Sequence, residues 1–91
     1  MLDAVKQRLR ISHAKLDPDI LRTIETAKAE LIRLGVLALK ANDANDPLIM
    51  EAIVTYCQRE FTDDDKKYEM YTKSWETQVD GLRKSKGYKN V

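Results

Sequence analysis

The sequence is poor in everything that cross-links or punctuates a chain. Among 91 residues there is one cysteine, Cys57, which excludes an internal disulfide framework and a cysteine-only zinc site. Three glycines and two prolines leave little material for the turns of a many-stranded β fold. No run of about 18 apolar residues occurs, so nothing reads as spanning a bilayer. Met1-Leu2-Asp3-Ala4-Val5-Lys6 lacks the apolar stretch of a secretory signal, which predicts a chain that stays inside a cell or is assembled there. Charge of one sign is also missing. Sixteen Lys and Arg against fifteen Asp and Glu give +1, with no strong field to select nucleic acid or a membrane surface. No internal repeat and no low-complexity segment is visible.

What is present is the grammar of helices. Hydrophobic residues at 43% and charged residues at 34% make a globular but polar chain, one small domain whose core is modest. Leu2, Val5 and Leu9 fall at steps of three and four and predict a short helix over about residues 2–10, followed by a connector, Ser12 to Leu16. Asp17-Pro18 is a helix start, with Asp17 as cap and the proline at a position that needs no donor. Ile20, Ile24, Ala27, Leu31 and Leu34 then form one apolar stripe, widened by Leu21 and Ile32, over about 18–34, and Gly35 sits where a left-handed stop is wanted. Val36 to Leu39 is apolar, and Lys40 to Asn45 reads as a polar loop.

Asp46-Pro47 repeats the start signal, and Leu48, Ile49, Ala52, Ile53, Tyr56 and Cys57 mark the buried side of a helix over about 47–60. Thr62 with Asp65 three residues on has the form of a capping box. Tyr68, Tyr71, Trp75, Val79 and Leu82 continue at steps of three and four, predicting a helix from about 63 to 82 with Trp75, like Ile24, in the core. The expectation is an all-α bundle of about four helices: two or three long ones, a short N-terminal one and a basic C-terminal tail. Residues 1–83 form the domain, and residues 84–91, with too few apolar side chains to fold alone, form a flexible tail.

Reactive chemistry has few candidates. His13 is the only histidine. Asp17 and Asp19 lie near it in sequence, but no patterned partner makes a general base or a metal site of it, and it reads as a surface residue. Cys57 lies on an apolar helix side, where a buried structural thiol is the plainer reading than a reactive one. Asp63-Asp64-Asp65 lacks the alternate ligand spacing and mid-loop glycine of a calcium loop; it suits the positive end of a helix, or a protein contact surface. The Tyr68/Tyr71/Trp75 stripe has the period of a core face, although stacked aromatics also bind single-stranded nucleic acid. There is no glycine-rich phosphate loop, no paired nucleophile and base, and no zinc spacing. The reading is no enzyme, no catalytic residue, no metal and no cofactor.

The alternative is a small helical nucleic-acid-binding regulator. A helix-turn-helix needs a turn of about 3–4 residues and a second helix that meets DNA at its N-terminal end. Here Asp17-Pro18-Asp19 would repel phosphate, the helix after Asp46 carries only Arg59, late, and the gap between the two helices is too long. The charges that do cluster are segregated: basic at Lys6, Arg8, Arg10 and Lys15, acidic at Glu60, Asp63, Asp64, Asp65 and Glu69, basic again at Arg83, Lys84, Lys86 and Lys89. A solvated surface explains this, and so do complementary patches between identical neighbours.

The order of these features resembles the small head–tail connector (adaptor, or head-completion) proteins of long-tailed double-stranded DNA phages and prophages. The resemblance rests on Val5-Lys6-Gln7-Arg8-Leu9-Arg10-Ile11, on the acidic start and Ile/Ala/Leu-rich helix from Asp17-Pro18-Asp19-Ile20 to Leu34-Gly35, on Asp46-Pro47 with Ala52-Ile53, and on Tyr71, Gln78 and Leu82-Arg83. It spans nearly the whole chain, which looks like a compact version of such a protein. It implies a virion protein of the head–tail junction, made in the host cytoplasm, without catalysis or cofactor. Its partners would be other copies of itself in a ring of about a dozen, the portal protein, the next head-completion or tail protein, and DNA passing non-specifically through the channel, with no membrane. A ring needs two different patches on one subunit. The candidates for the subunit or portal interface are Asp63, Asp64, Asp65, Arg83, Lys84, Lys86, Tyr88 and Lys89, with the tail ordering on an acidic surface of a neighbour and Tyr88 as its apolar anchor.

Overall fold

A computed structural model describes residues 1–90. It contains α1 (Leu2–Leu9), α2 (Asp17–Arg33), a single turn α3 (Ala38–Ala41), α4 (Pro47–Phe61) and α5 (Asp65–Lys84). No strand is present among the described residues; a lone antiparallel bridge joins Val36 to Lys89. The all-α expectation is met, with one short helix more than the sequence indicated.

The centre is α4. Ala52, Ile53, Val54, Thr55, Tyr56 and Cys57 are consecutive and all buried. A helix that is apolar all round must be enclosed on all sides, and α4 packs against α5, α2 and α1. Thr55 enters this core because its hydroxyl donates to the Glu51 carbonyl at 3.0 Å, so no polar hydrogen is stranded. Around α4, the buried stripes are Ile20, Ile24, Ala27 and Leu31 of α2, Val5 of α1, and Trp75, Val79 and Leu82 of α5. Tyr56 and Trp75 meet edge to face, ring centroids 4.9 Å apart. Both expected core positions, Ile24 and Trp75, are buried.

Three apolar residues that the stripes included lie outside. Leu21 is exposed, Leu48 is 57% exposed and Tyr68 is 46% exposed, while Tyr71 is half-buried. For Tyr68 the reason is length. The first two turns of α5 run past the packed part of the bundle, and every residue from Asp65 to Met70 is exposed.

The helix ends explain the boundaries. Gly35 is at φ 109°, a conformation that costs a residue with a Cβ and costs glycine little. There the Val36 amide donates to the Leu31 carbonyl at 2.9 Å and the Gly35 amide to the Ile32 carbonyl at 3.1 Å, the paired bonds of a Schellman stop. α1 ends in the same pattern, Ile11 to Lys6 and Arg10 to Gln7, but with Arg10 in the left-handed position at φ 58°. Asp46 caps α4 as expected, Oδ1 accepting from the Leu48 and Ile49 amides at 2.9 and 3.3 Å.

Two expected caps are corrected. Asp17 does not cap α2; it is that helix's first residue, and its carboxylate pairs with Lys6 Nζ of α1 at 2.8 Å. Thr62 does not cap α5 either. Asp64 does, accepting from the Lys66 and Lys67 amides at 2.9 and 3.1 Å, while the Thr62 hydroxyl accepts from the Asp64 amide and holds the capping residue. With three aspartates in a row, the cap fell to the one immediately before the first helical residue.

Candidate assembly surface

α5 sets the layout of the candidate residues. Its 20 residues span about 30 Å at ~1.5 Å per residue. Asp63, Asp64 and Asp65 stand at its start; Arg83 and Lys84 stand at its end, with Lys86, Tyr88 and Lys89 just beyond. One chain therefore does not bring the acidic and basic groups together. It holds them at opposite ends of a stiff rod.

Their availability differs. Asp63, Asp64 and Asp65 are exposed, and none of them is in an ion pair among the described residues, although Asp64 is committed to capping. Arg83 and Lys84 are not free. Both reach back to Asp80, Arg83 at 3.1 and 2.8 Å and Lys84 at 2.9 Å, and these two donors hold the Asp80 carboxyl below its ordinary pKa. Lys86 and Lys89 are exposed, with no ion pair among the described residues.

Residues 85–90 fold back onto the bundle. Tyr88 turns toward the start of α4, and its hydroxyl donates to Asp46 Oδ2 at 2.8 Å. The Leu37 amide donates to the Tyr88 carbonyl at 2.6 Å, and the Asn90 amide donates to the Gly35 carbonyl at 2.8 Å. Lys40 Nζ lies 5.2 Å from the centre of the Tyr88 ring. Within the single chain Tyr88 is held by Asp46 and Leu37. Val91, the last residue of the expected tail, lies outside the described residues.

Asp46 is the residue that sequence reasoning missed in this role. One oxygen caps α4; the other takes the Tyr88 phenol and faces Lys40 Nζ at 3.9 Å. Burial alone would raise its pKa, but the Tyr88 hydroxyl, the Ile49 and Leu48 amides and Lys40 together bring it below the ordinary carboxylate value. The same contact raises the Tyr88 pKa. Nothing local in the sequence links two residues 42 positions apart. Asp46-Pro47 announces a cap and is silent about the second oxygen.

The groups considered for chemistry have plain surroundings. His13 Nδ1 accepts from the Lys15 amide at 3.2 Å in an exposed turn. Asp19 pairs with Arg22 at 3.3 Å. Cys57 is fully buried, its pKa pushed up to about 12 by burial and by the charge of Glu60. No group of three His, Cys, Asp or Glu among the described residues is placed to hold a metal ion. Among the described residues no helix is long and apolar enough to cross a membrane. A shallow groove of about 290 Å³ lies between α4 and α5, where Leu48, Gly81 and Leu82 meet Glu51 and Thr77.

The described residues thus present a helical core, charged groups held apart by one long helix, and shallow grooves. Residues 1–85 match the family described as phage connector protein, and the chain belongs to that family. It is a structural connector protein of the phage virion. No curated protein sequence and no solved structure matches the chain.

Proposed function

We propose that the chain forms a ring on the phage portal, extends the channel through which DNA passes, and offers the docking surface for the next head-completion or tail protein. The observation that carries this reading is the family match over residues 1–85. The layout of α5 supports it. A closed ring requires a heterologous contact in which two different patches of each subunit meet. An acidic start and a basic end about 30 Å apart on one helix are two such patches. Asp63 and Asp65 would face Lys86 and Lys89 of the next subunit, with Arg83 and Lys84 adding charge already shared with Asp80.

Exposed ion pairs contribute only about 0–1 kcal/mol each, so charge tunes and orients the contact, and the apolar area buried at the interface supplies most of its strength. A net charge of +1 suits a channel wall that lets DNA pass and does not hold it. The test is to mix the purified chain with the portal protein of the same phage and to measure mass and shape by light scattering and electron microscopy. A ring of about a dozen copies seated on the portal is expected from the resemblance to head–tail connectors. Failure to bind the portal, together with tight sequence-specific binding to duplex DNA at physiological salt, would overturn the reading in favour of a regulator.

A further inference from the structure

We infer that residues 85–90 are an exchangeable strap, and that the receptor they occupy takes the same segment from a second copy of this chain. The receptor is the backbone edge Gly35–Leu37 together with Oδ2 of Asp46. It exists without the strap. The Schellman bonds at Gly35 fix the edge, and the Leu48 and Ile49 amides fix the other oxygen of Asp46. The Leu37 amide and the Gly35 carbonyl are satisfied by the strap, through Tyr88 and Asn90. The Asp46 side chain is only 7% exposed with the strap in place. The strap thus covers Asp46 and supplies hydrogen bonds to its Oδ2 and to the Leu37 and Gly35 backbone, and any segment of the same sequence can supply the same set.

The hinge is what makes the occupant exchangeable. Ser85, Lys86 and Gly87 are all exposed, and the space beside Gly87 is open to at least 4 Å. The reversal of direction is held by the Tyr88 and Lys89 amides, which donate to the Ser85 carbonyl at 3.0 Å each. Opening this turn breaks no packed contact of the hinge residues. The strap then makes the same bonds to a neighbour's edge that it makes to its own, which is the condition for exchanging an element between identical chains at low cost. A neighbour held alongside raises the effective concentration of its receptor and shifts the balance toward exchange. The hinge and strap beyond Ser85 lie past the part of the chain that matches the family. This inference deepens the assembly reading, on which the strap's place in a ring rests, but the exchange itself can be tested without the portal.

The test uses two variants of the full chain. In the first, Lys86 and Gly87 are deleted. Ser85 and Tyr88 then become neighbours, and the strap cannot turn back to its own receptor. Exchange predicts a helical protein that elutes as dimers or larger species with increasing concentration, and reverts to monomer when Tyr88→Phe and a proline at Asn90 are added. A helical monomer at every concentration overturns the inference. In the second, Val36→Cys and Lys89→Cys are introduced into a Cys57→Ala background, since these two residues face each other in the bridge. Oxidation of the dilute chain is expected to give a disulfide within one molecule, and oxidation of concentrated or portal-bound chain to give disulfides between molecules. Assembled rings that carry only internal disulfides refute the exchange and leave the ring reading intact. Exchanged dimers from a chain that never joins a portal refute the ring reading and leave the strap.

Discussion

Trp75 and Tyr68 lie on one helical stripe, and the structure assigns them opposite fates, which makes the pair a direct test of the packing. Trp75 is 5% exposed and stacks edge to face on Tyr56. Truncating a buried aromatic costs about 3–5 kcal/mol. The edge-to-face pair contributes roughly 0.5–1.5 kcal/mol beyond the buried area. At ~0.05–0.15 kcal/mol per residue, a 91-residue domain has about 5–14 kcal/mol in total. Trp75→Ala should therefore remove at least about a fifth of the stability, and most of it if the total lies near the lower bound. At about 4–8 °C per kcal/mol for a domain of this size, even the lower bound of 3 kcal/mol lowers Tm by roughly 12–24 °C. Tyr68 is 46% exposed, and its one notable contact is the Arg59 guanidinium 5.7 Å from the ring centre, worth about 0.5–1 kcal/mol at an exposed site. Tyr68→Ala should cost less than about 8 °C. The assay is far-ultraviolet circular dichroism during heating, which follows helix and does not depend on the tryptophan. Equal losses from the two substitutions, or a Trp75→Ala protein that melts within a few degrees of the parent, would show that α5 does not bury this face against α4.

Further expectations concern ends, charges and the thiol. Arg10→Gly should raise stability by about 0.5–1 kcal/mol in denaturant titration, because it relieves a left-handed arginine at φ 58° at the close of α1. The folded pKa of Asp46 is depressed, so its contribution is present above the unfolded value of about 4 and is lost as pH falls through the folded value. Asp46→Asn should therefore narrow the gap in Tm between about pH 7 and pH 3. It should not abolish that gap, since Glu51, held down by Arg8, and Asp80, held down by Lys84 and Arg83, are depressed too. Cys57 should resist a thiol reagent in the native protein at neutral pH and react only at the rate of global opening, which rapid labelling of the native chain would contradict. Reversing Asp63 and Asp65 to lysine should weaken assembly by up to about fivefold for each ion pair lost, with the effect fading at high salt, and should lower Tm by a few degrees through the lost attraction to the start of α5.

The helices and their buried faces were legible because each is written in local spacing. Ile20, Ile24, Ala27 and Leu31 fall at steps of four, three and four, and Asp46-Pro47 and Gly35 stand at the boundaries that the backbone uses. The losses have local causes. α3 has four residues, too few for a period to show. Asp17 and Thr62 carry capping chemistry, but Lys6 engages one, and Asp64, beside α5, does the work of the other. Tyr68 keeps the stripe's rhythm after the packed surface has run out, and periodicity cannot show where a partner ends. At the candidate surface the sequence located the charges but not their commitments. The Asp80 pairing of Arg83 and Lys84 spans three and four residues and was available from spacing alone. The Tyr88–Asp46 bond and the backbone bonds to Gly35 and Leu37 depend on the tertiary fold, and no local pattern marks them.

The overhang of α5 makes its two ends mechanically unequal. From Trp75 to Leu82 the helix is clamped by buried contacts, whereas from Asp65 to Met70 it is held only by its continuity with that part, by the Asp64 cap and by Arg59 against Tyr68. Helix is cheap to extend from a formed segment and cheap to unravel from a free end. Amide exchange should therefore slow progressively along α5, from hardly protected near Lys66 to protected at the level of global unfolding near Val79. The acidic end of the rod is soft and can be reshaped by whatever it touches without disturbing the core. The end clamped through Trp75, Val79 and Leu82 is hard up to Arg83 and Lys84, whose side chains are held by Asp80, and it imposes its own geometry on its partner. A contact that joins the soft end of one subunit to the hard end of the next can tolerate a mismatch in curvature at every joint.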